Sequence, residues 1–243
     1  MMARAYFAMV LLGTALAAGA DEAAVRRMVE DKVRGMGAVE SVQKAPFGDL
    51  YEVVVRRPDG PQVYYVDGPA TVIIAGQAID AKSGRNLTDE RLRKLSAVQW
   101  DSLPLKDAVT TVRGTGRRRI AILSDPYCPY CKTFEKDLAK IDDITIHIFL
   151  YPVIRPESVT LTKSVWCSKD RAKAWNELML RDIQPSAKPD CDTPVEKLVA
   201  FGRKLGVNST PTWFLENGER RSGALPLAEL RRLLDEASPS MRR

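Results

Sequence analysis

Two of the four cysteines in this 243-residue chain stand as Cys128-Pro129-Tyr130-Cys131. The motif follows a β-branched run, Ile120-Ala121-Ile122-Leu123, and opens a segment with Tyr130, Phe134, Leu138 and Ile141 at helical spacing. A sulfur at a strand-to-helix junction meets free N–H groups and the positive end of the helix macrodipole, which favour thiolate over thiol. Cys128 is therefore the expected nucleophile. Cys131 lies around the first turn, within reach of a mixed disulfide on Cys128, and is the expected resolving thiol. Pro129 suits the first turn because its missing N–H costs nothing there. The chemistry is thiol–disulfide exchange; a bridge across so short a loop restricts little unfolded-chain entropy, so stabilisation is a poor reason for the motif.

Cys167 and Cys191 remain. Four cysteines could make an all-thiolate zinc site, but this pair is 24 positions apart and does not form a second knuckle. In an oxidising compartment it is expected to be a structural disulfide closing a helical insert. No metal and no cofactor is expected. His147, the only histidine, has no second imidazole with which to seed a metal cluster and reads as a packing or surface residue with no catalytic role. A third element is Val207-Asn208-Ser209-Thr210-Pro211-Thr212-Trp213. Proline before a strand is usually an ordinary trans loop residue, but a cis X-Pro here would set backbone beside the reactive sulfur. An extended substrate could then pair with that backbone as an added strand. Thr210 and Pro211 are accordingly candidate substrate-binding residues, with Tyr127, Pro129 and Tyr130 beside the sulfurs.

The elements that must position these residues form two unequal halves. In the second, Ile120–Leu123, a helix over 129–141 and Ile144–Leu150 make a βαβ unit. An inserted helix over 159–180 follows, then a helix over 194–205. Thr212–Leu215 and Arg220–Ser222 flank an Asn217-Gly218 turn, and a helix over 227–237 ends the pattern. Arg117-Arg118-Arg119 reads as a solvated loop. In the first half Val25, Met28, Val29, Val33 and Met36 mark a helix over 24–36 stopped by Gly37. Leu50–Val55, Gln62–Val66 and Thr71–Ile74 follow as an antiparallel meander. So small a helix-and-meander module leaves sheet edges unpaired, which implies self-association. A charged helix over 86–100, capped by Thr88, separates the halves.

The expected organisation is 21–82 dimerisation domain, 83–106 linker helix region and 107–243 catalytic domain. Residues 1–20, with Arg4, an apolar run from Tyr6 to Ala17 and Ala18-Gly19-Ala20, read as a signal peptide cleaved after Ala20. The alternative, a membrane anchor, needs a longer apolar run. With 45% apolar and 28% charged residues the chain is globular, neither collagen-like nor disordered nor multi-spanning. A net charge of +6 does not by itself indicate nucleic-acid binding.

Leu123-Ser124-Asp125-Pro126-Tyr127-Cys128-Pro129-Tyr130-Cys131-Lys132, Val165-Trp166-Cys167-Ser168-Lys169-Asp170 and Gly206–Pro211 together resemble the periplasmic disulfide isomerases of the DsbC and DsbG type. The resemblance covers essentially the whole mature chain. It implies an α/β thioredoxin-like fold with a helical insert and a small α+β, cystatin-like N-terminal domain joining a homodimer. It also implies misfolded disulfide-containing exported proteins as substrates, a membrane reductase of the DsbD type, and a periplasmic location. Thr210-Pro211 matches the family's Thr and cis-Pro, and the second cysteine pair matches the DsbC branch. The Pro-Tyr dipeptide resembles the DsbG branch, where the DsbC pattern is Gly-Tyr, but the extra cysteine pair favours the DsbC branch. Two other activities fit the same residues: reduction of sulfenylated protein cysteines, and a dimeric holdase.

Overall fold

The computed structural model describes residues 16–238. The expected signal peptide therefore lies, up to residue 15, outside the described residues. The chain divides into two compact units, one ending at Thr88 and the other beginning at Asp89. Among the described residues no helix is long and apolar enough to cross a membrane.

The first unit is helix α1 (Leu16–Lys32) on an antiparallel sheet of β1 (Ala38–Lys44), β2 (Leu50–Arg57), β3 (Gly60–Asp67) and β4 (Ile73–Ile74), in that order. Val25 and Val29 of α1 pack with Val42, Tyr51, Val53, Val55 and Val66 as one core. The helix stops earlier than its apolar spacing predicts. The chain turns at Gly35, with φ 78°, so Met36 leaves the stripe and is exposed. Strand β1 was not expected; only Val42 of its seven residues is buried, so the run carries little apolar alternation.

Helix α2 (Leu87–Leu95) is shorter than the expected span, and Trp100–Ser102 forms a separate 3₁₀ turn. Thr88 is not its cap. It lies inside the first turn, where its hydroxyl is 2.6 Å from the Tyr65 hydroxyl and accepts the Ala78 N–H at 2.9 Å. A buried hydroxyl between two polar partners serves the first unit's packing, and the helix starts one residue earlier.

The second unit holds β5 (Val109–Arg113), β6 (Arg118–Ser124), α3 (Pro129–Leu138), β7 (Ile144–Leu150), α4 (Pro156–Cys167), α5 (Arg171–Arg181), α6 (Val195–Lys204), β8 (Thr212–Leu215), β9 (Arg220–Ser222) and α7 (Leu227–Ala237). Its five-stranded sheet has the order β5-β7-β6-β8-β9. Only the β6–β7 pair is parallel, as the α3 crossover between them requires. β6, β7 and β8 supply Ile120, Ile122, Phe149 and Trp213 to a continuous core. Edge strand β5 was not expected from the sequence. The inserted segment is two helices, because Asp170 caps a new one by accepting the Lys173 N–H at 2.9 Å. Of the arginine triplet only Arg117 stays in an exposed loop; Arg118 and Arg119 lie in β6 and pair with Asp235 at 2.6 Å and Glu216 at 3.0 Å. His147 is buried, its Nδ1 2.9 Å from the Thr110 hydroxyl.

Candidate active site

Strand β6 ends at Ser124, and four residues later Cys128 caps α3. Its sulfur accepts the Cys131 N–H at 3.4 Å, an orphan donor of the helix start. Pro129 takes the first helical position. Cys128 and Cys131 are free thiols, both buried. Burial pushes the Cys131 thiol up to about 12, against the pull of the Ser124 hydroxyl and the Asp125 backbone, and with a smaller push from the Cys128 sulfur. A sulfur held as thiol behind one that receives a helix N–H gives the two cysteines unequal chemistry.

The Thr210–Pro211 peptide is cis, and the Cys128 thiol donates to the Thr210 carbonyl at 3.2 Å. The connection carrying this pair is held on several sides. Arg220 binds the carbonyls of Leu205 and Gly206 at 2.6 and 3.1 Å, and the Tyr151 hydroxyl donates to the Val207 carbonyl at 3.1 Å. The Thr212 hydroxyl reaches the Ser209 carbonyl at 2.8 Å. Thr210 and Pro211 are buried, while Asn208 and Ser209 are exposed. The Thr210 hydroxyl is itself buried without a hydrogen-bond partner.

Of the residues flanking the sulfurs, Pro129 and Tyr130 are exposed and Tyr127 is half-buried beneath the Arg155 guanidinium, 4.2 Å from its ring centroid. Tyr130 thus leaves the face that carries Phe134 and Leu138. Cys167 and Cys191 stand apart from this group, bonded to each other at 2.03 Å where α4 meets the loop ahead of α6. Among the described residues no three His, Cys, Asp or Glu side chains gather where a metal could be held.

Two acidic residues near the dithiol escaped the sequence reading. Asp125 is fully buried and accepts the N–H groups of Tyr127, Val153 and Ile154 and the Ser158 hydroxyl, at 2.7 to 2.9 Å. Its place three residues before Cys128 was the available signal. Glu135 follows Cys131 by one helical turn and accepts the Trp175 indole N–H at 2.9 Å. Burial pushes its carboxyl up to about 7, opposed by that N–H and by the Arg113 charge.

A dithiol at the start of the crossover helix, with a cis-proline backbone against its first sulfur, defines a thioredoxin-fold thiol–disulfide oxidoreductase. Residues 105–238 match the family model of the thioredoxin-like domain, and residues 16–89 match that of the disulfide bond isomerase protein N-terminal domain. The chain is 43% identical over 192 residues to the probable thiol:disulfide interchange protein DsbC of Bordetella parapertussis, covering 79% of this chain and 67% of that one. It is 27% identical to the thiol:disulfide interchange protein DsbC of Escherichia coli K12, over 90% and 89% of the two chains. A disulfide interchange protein from Neisseria gonorrhoeae superposes with a TM-score of 0.54 at 34% identity, covering 56% of this chain and 98% of that structure. The chain belongs to the DsbC family of thiol:disulfide interchange proteins, which are disulfide-isomerase oxidoreductases.

Proposed function

We infer that this protein rearranges non-native disulfides in exported proteins, with Cys128 as nucleophile and Cys131 as resolving thiol. The observation that carries the reading is the Cys128 sulfur, set between the Cys131 N–H and the Thr210 carbonyl. Cys128 thiolate attacks one sulfur of a wrong disulfide, forms a mixed disulfide and expels the other substrate sulfur as thiolate. That thiolate attacks elsewhere in the substrate, and Cys128 leaves again with no net oxidation. When rearrangement stalls, Cys131 attacks the Cys128 sulfur, its proton being taken up by the substrate thiolate that this attack expels. The substrate departs reduced and the enzyme departs as the Cys128–Cys131 disulfide. Two electrons from a membrane reductase of the DsbD type restore it.

Thr210, Pro211, Tyr127, Pro129 and Tyr130 would contact the substrate chain, with the exposed Asn208 and Ser209 leading it to the backbone at Thr210 for strand pairing. Cys167 and Cys191 serve as the structural bridge. The division of labour is a cleaved export segment over 1–20, a dimerisation domain over 21–82, a linker over 83–106 and a catalytic domain over 107–243, working in the periplasm as a homodimer. Support for self-association comes from β4, an edge strand whose Ile73 and Ile74 are 36% and 44% exposed. The opposite edge, β1, carries exposed Glu40 and Lys44. An apolar edge without such charges invites another strand.

The test is recovery of scrambled ribonuclease in glutathione buffer by the pre-reduced mature protein. Recovery that disappears in Cys128→Ala and persists at reduced rate in Cys131→Ala is the expected result. No recovery, together with rapid reduction of a protein sulfenic acid, would replace isomerisation by repair of single oxidised cysteines.

A further inference from the structure

Between β7 and α4 the chain runs Tyr151-Pro152-Val153-Ile154-Arg155. Tyr151 and Pro152 are buried, but Val153 and Ile154 are 42% and 50% exposed. Two neighbouring aliphatic side chains in water call for an explanation when their backbone is rigidly held. Theirs is: both N–H groups donate to one oxygen of the buried Asp125 carboxylate, at 2.7 and 2.9 Å. The other oxygen takes the Tyr127 N–H at 2.8 Å and the Ser158 hydroxyl at 2.9 Å. The Asp125 carbonyl also accepts the Cys128 N–H at 3.1 Å. One residue therefore fixes the aliphatic pair and the start of α3 as a single piece. Arg155 continues the surface, lying over the Tyr127 ring, and among the described residues no carboxylate pairs with it. Tyr130, in the first turn of α3, is 67% exposed.

We propose that Val153, Ile154 and Arg155 form a substrate-binding shelf beside the dithiol. It takes the stretch of unfolded chain next to the attacked cysteine and favours an apolar residue followed by an acidic one. The inference rests on the assignment of Cys128 as nucleophile. The reaction itself brings this occupant: once the mixed disulfide forms, the flanking chain is tethered at Cys128 and its effective concentration at the shelf is high. An extended chain advances about 3.3 Å per residue, and the Asp125 carboxylate and carbonyl that hold both the shelf and the Cys128 N–H keep the shelf next to the start of α3. Aliphatic residues are those a misfolded protein exposes and a folded one buries. The exposed guanidinium supplies the preference for a carboxylate beyond them. The shelf binds chain and takes no part in the bond changes, in which the peptide disulfide gains two electrons and two protons from the Cys128–Cys131 dithiol.

The test uses the full mature protein, pre-reduced, and three synthetic peptides, each with one internal disulfide flanked by Leu-Leu-Glu-Glu, Ser-Ser-Glu-Glu or Leu-Leu-Lys-Lys. Formation of peptide dithiol is followed by chromatography. Every rate is divided by that for bis(2-hydroxyethyl) disulfide, which has no chain to lay on the shelf. The unchanged protein should prefer the Leu-Leu-Glu-Glu peptide. In the double variant Val153→Ser, Ile154→Ser its normalised rate should fall about tenfold, with the loss in half-saturating concentration and not in maximal rate. Arg155→Glu should reverse the preference between acidic and basic flanks, and added salt should weaken that reversal. Equal normalised rates for all three peptides, or a ratio that neither variant changes, would overturn the shelf. Failure of the unchanged protein to reduce bis(2-hydroxyethyl) disulfide, or its reduction by Cys128→Ala, would instead overturn the reading of the dithiol.

Discussion

Glu135 lies on the face of α3 that buries Cys131, Phe134 and Leu138, and its carboxyl is pushed up to about 7 by that burial. Between its ordinary value near 4.5 and 7, the native state keeps a proton that the unfolded chain has released. Stability therefore falls as pH rises through that window. His147 acts oppositely. Burial, and then the Arg119 charge, lower it from 6.5 to about 4, so its native site stays neutral where the unfolded chain is protonated. That contribution is lost as pH falls from 6.5 toward 4. Glu135→Gln should remove the upper slope, gaining on the unchanged protein by about 1–3 kcal/mol between pH 5 and 8 in urea unfolding. Parallel curves would contradict the buried-carboxyl account. A second outcome concerns the Cys131 thiol, which should resist iodoacetamide at pH 8 in Cys128→Ala, as mass spectrometry would show. The reactive pair was legible because C-x-x-C spacing states its own chemistry. Glu135 was not, because an apolar stripe discounts a glutamate, and the Trp175 N–H it meets is 40 positions away.

The same contrast holds among the elements. Strands β6, β7 and β8 are dense in buried apolar residues and can be read from composition alone. β1 and β5 are edges, their runs Ala-Val-Glu-Ser-Val-Gln-Lys and Val-Thr-Thr-Val-Arg half given to solvent, with Val112 60% exposed. They are strands because a neighbour supplies the ladder, which no local pattern records. Nor does a sequence show how closely α6 approaches the end of β7. A Cβ at Gly202 would overlap the Tyr151 ring, whose hydroxyl holds the Val207 carbonyl and so the connection bearing Thr210 and Pro211. Gly202→Ala must displace a buried ring, at a cost of about 1–3 kcal/mol. A lower Tm should accompany slower reduction of peptide disulfides. An unchanged Tm would mean that α6 can shift without cost.

At the scale of the molecule, each unit has a core of its own, and the dithiol lies wholly in the second. Reduction of a small disulfide should then proceed without the first unit, whereas isomerisation needs a substrate retained through successive attacks. A homodimer would meet that need by holding two dithiols near one chain, at an effective concentration free monomers do not reach. The apolar edge β4 is where the two activities should separate. Placing charge there, as Ile73→Lys with Ile74→Lys, blocks edge pairing with no loss of core, since both side chains are already exposed. Sedimentation should then show monomers, and bis(2-hydroxyethyl) disulfide should be reduced at the rate of the unchanged protein. Recovery of scrambled ribonuclease should fall at least several-fold, and deletion of residues 21–82 should give the same pattern. A monomeric variant that still isomerises at full rate would show that one dithiol and its own surroundings suffice, and that the edge of the first unit serves another purpose.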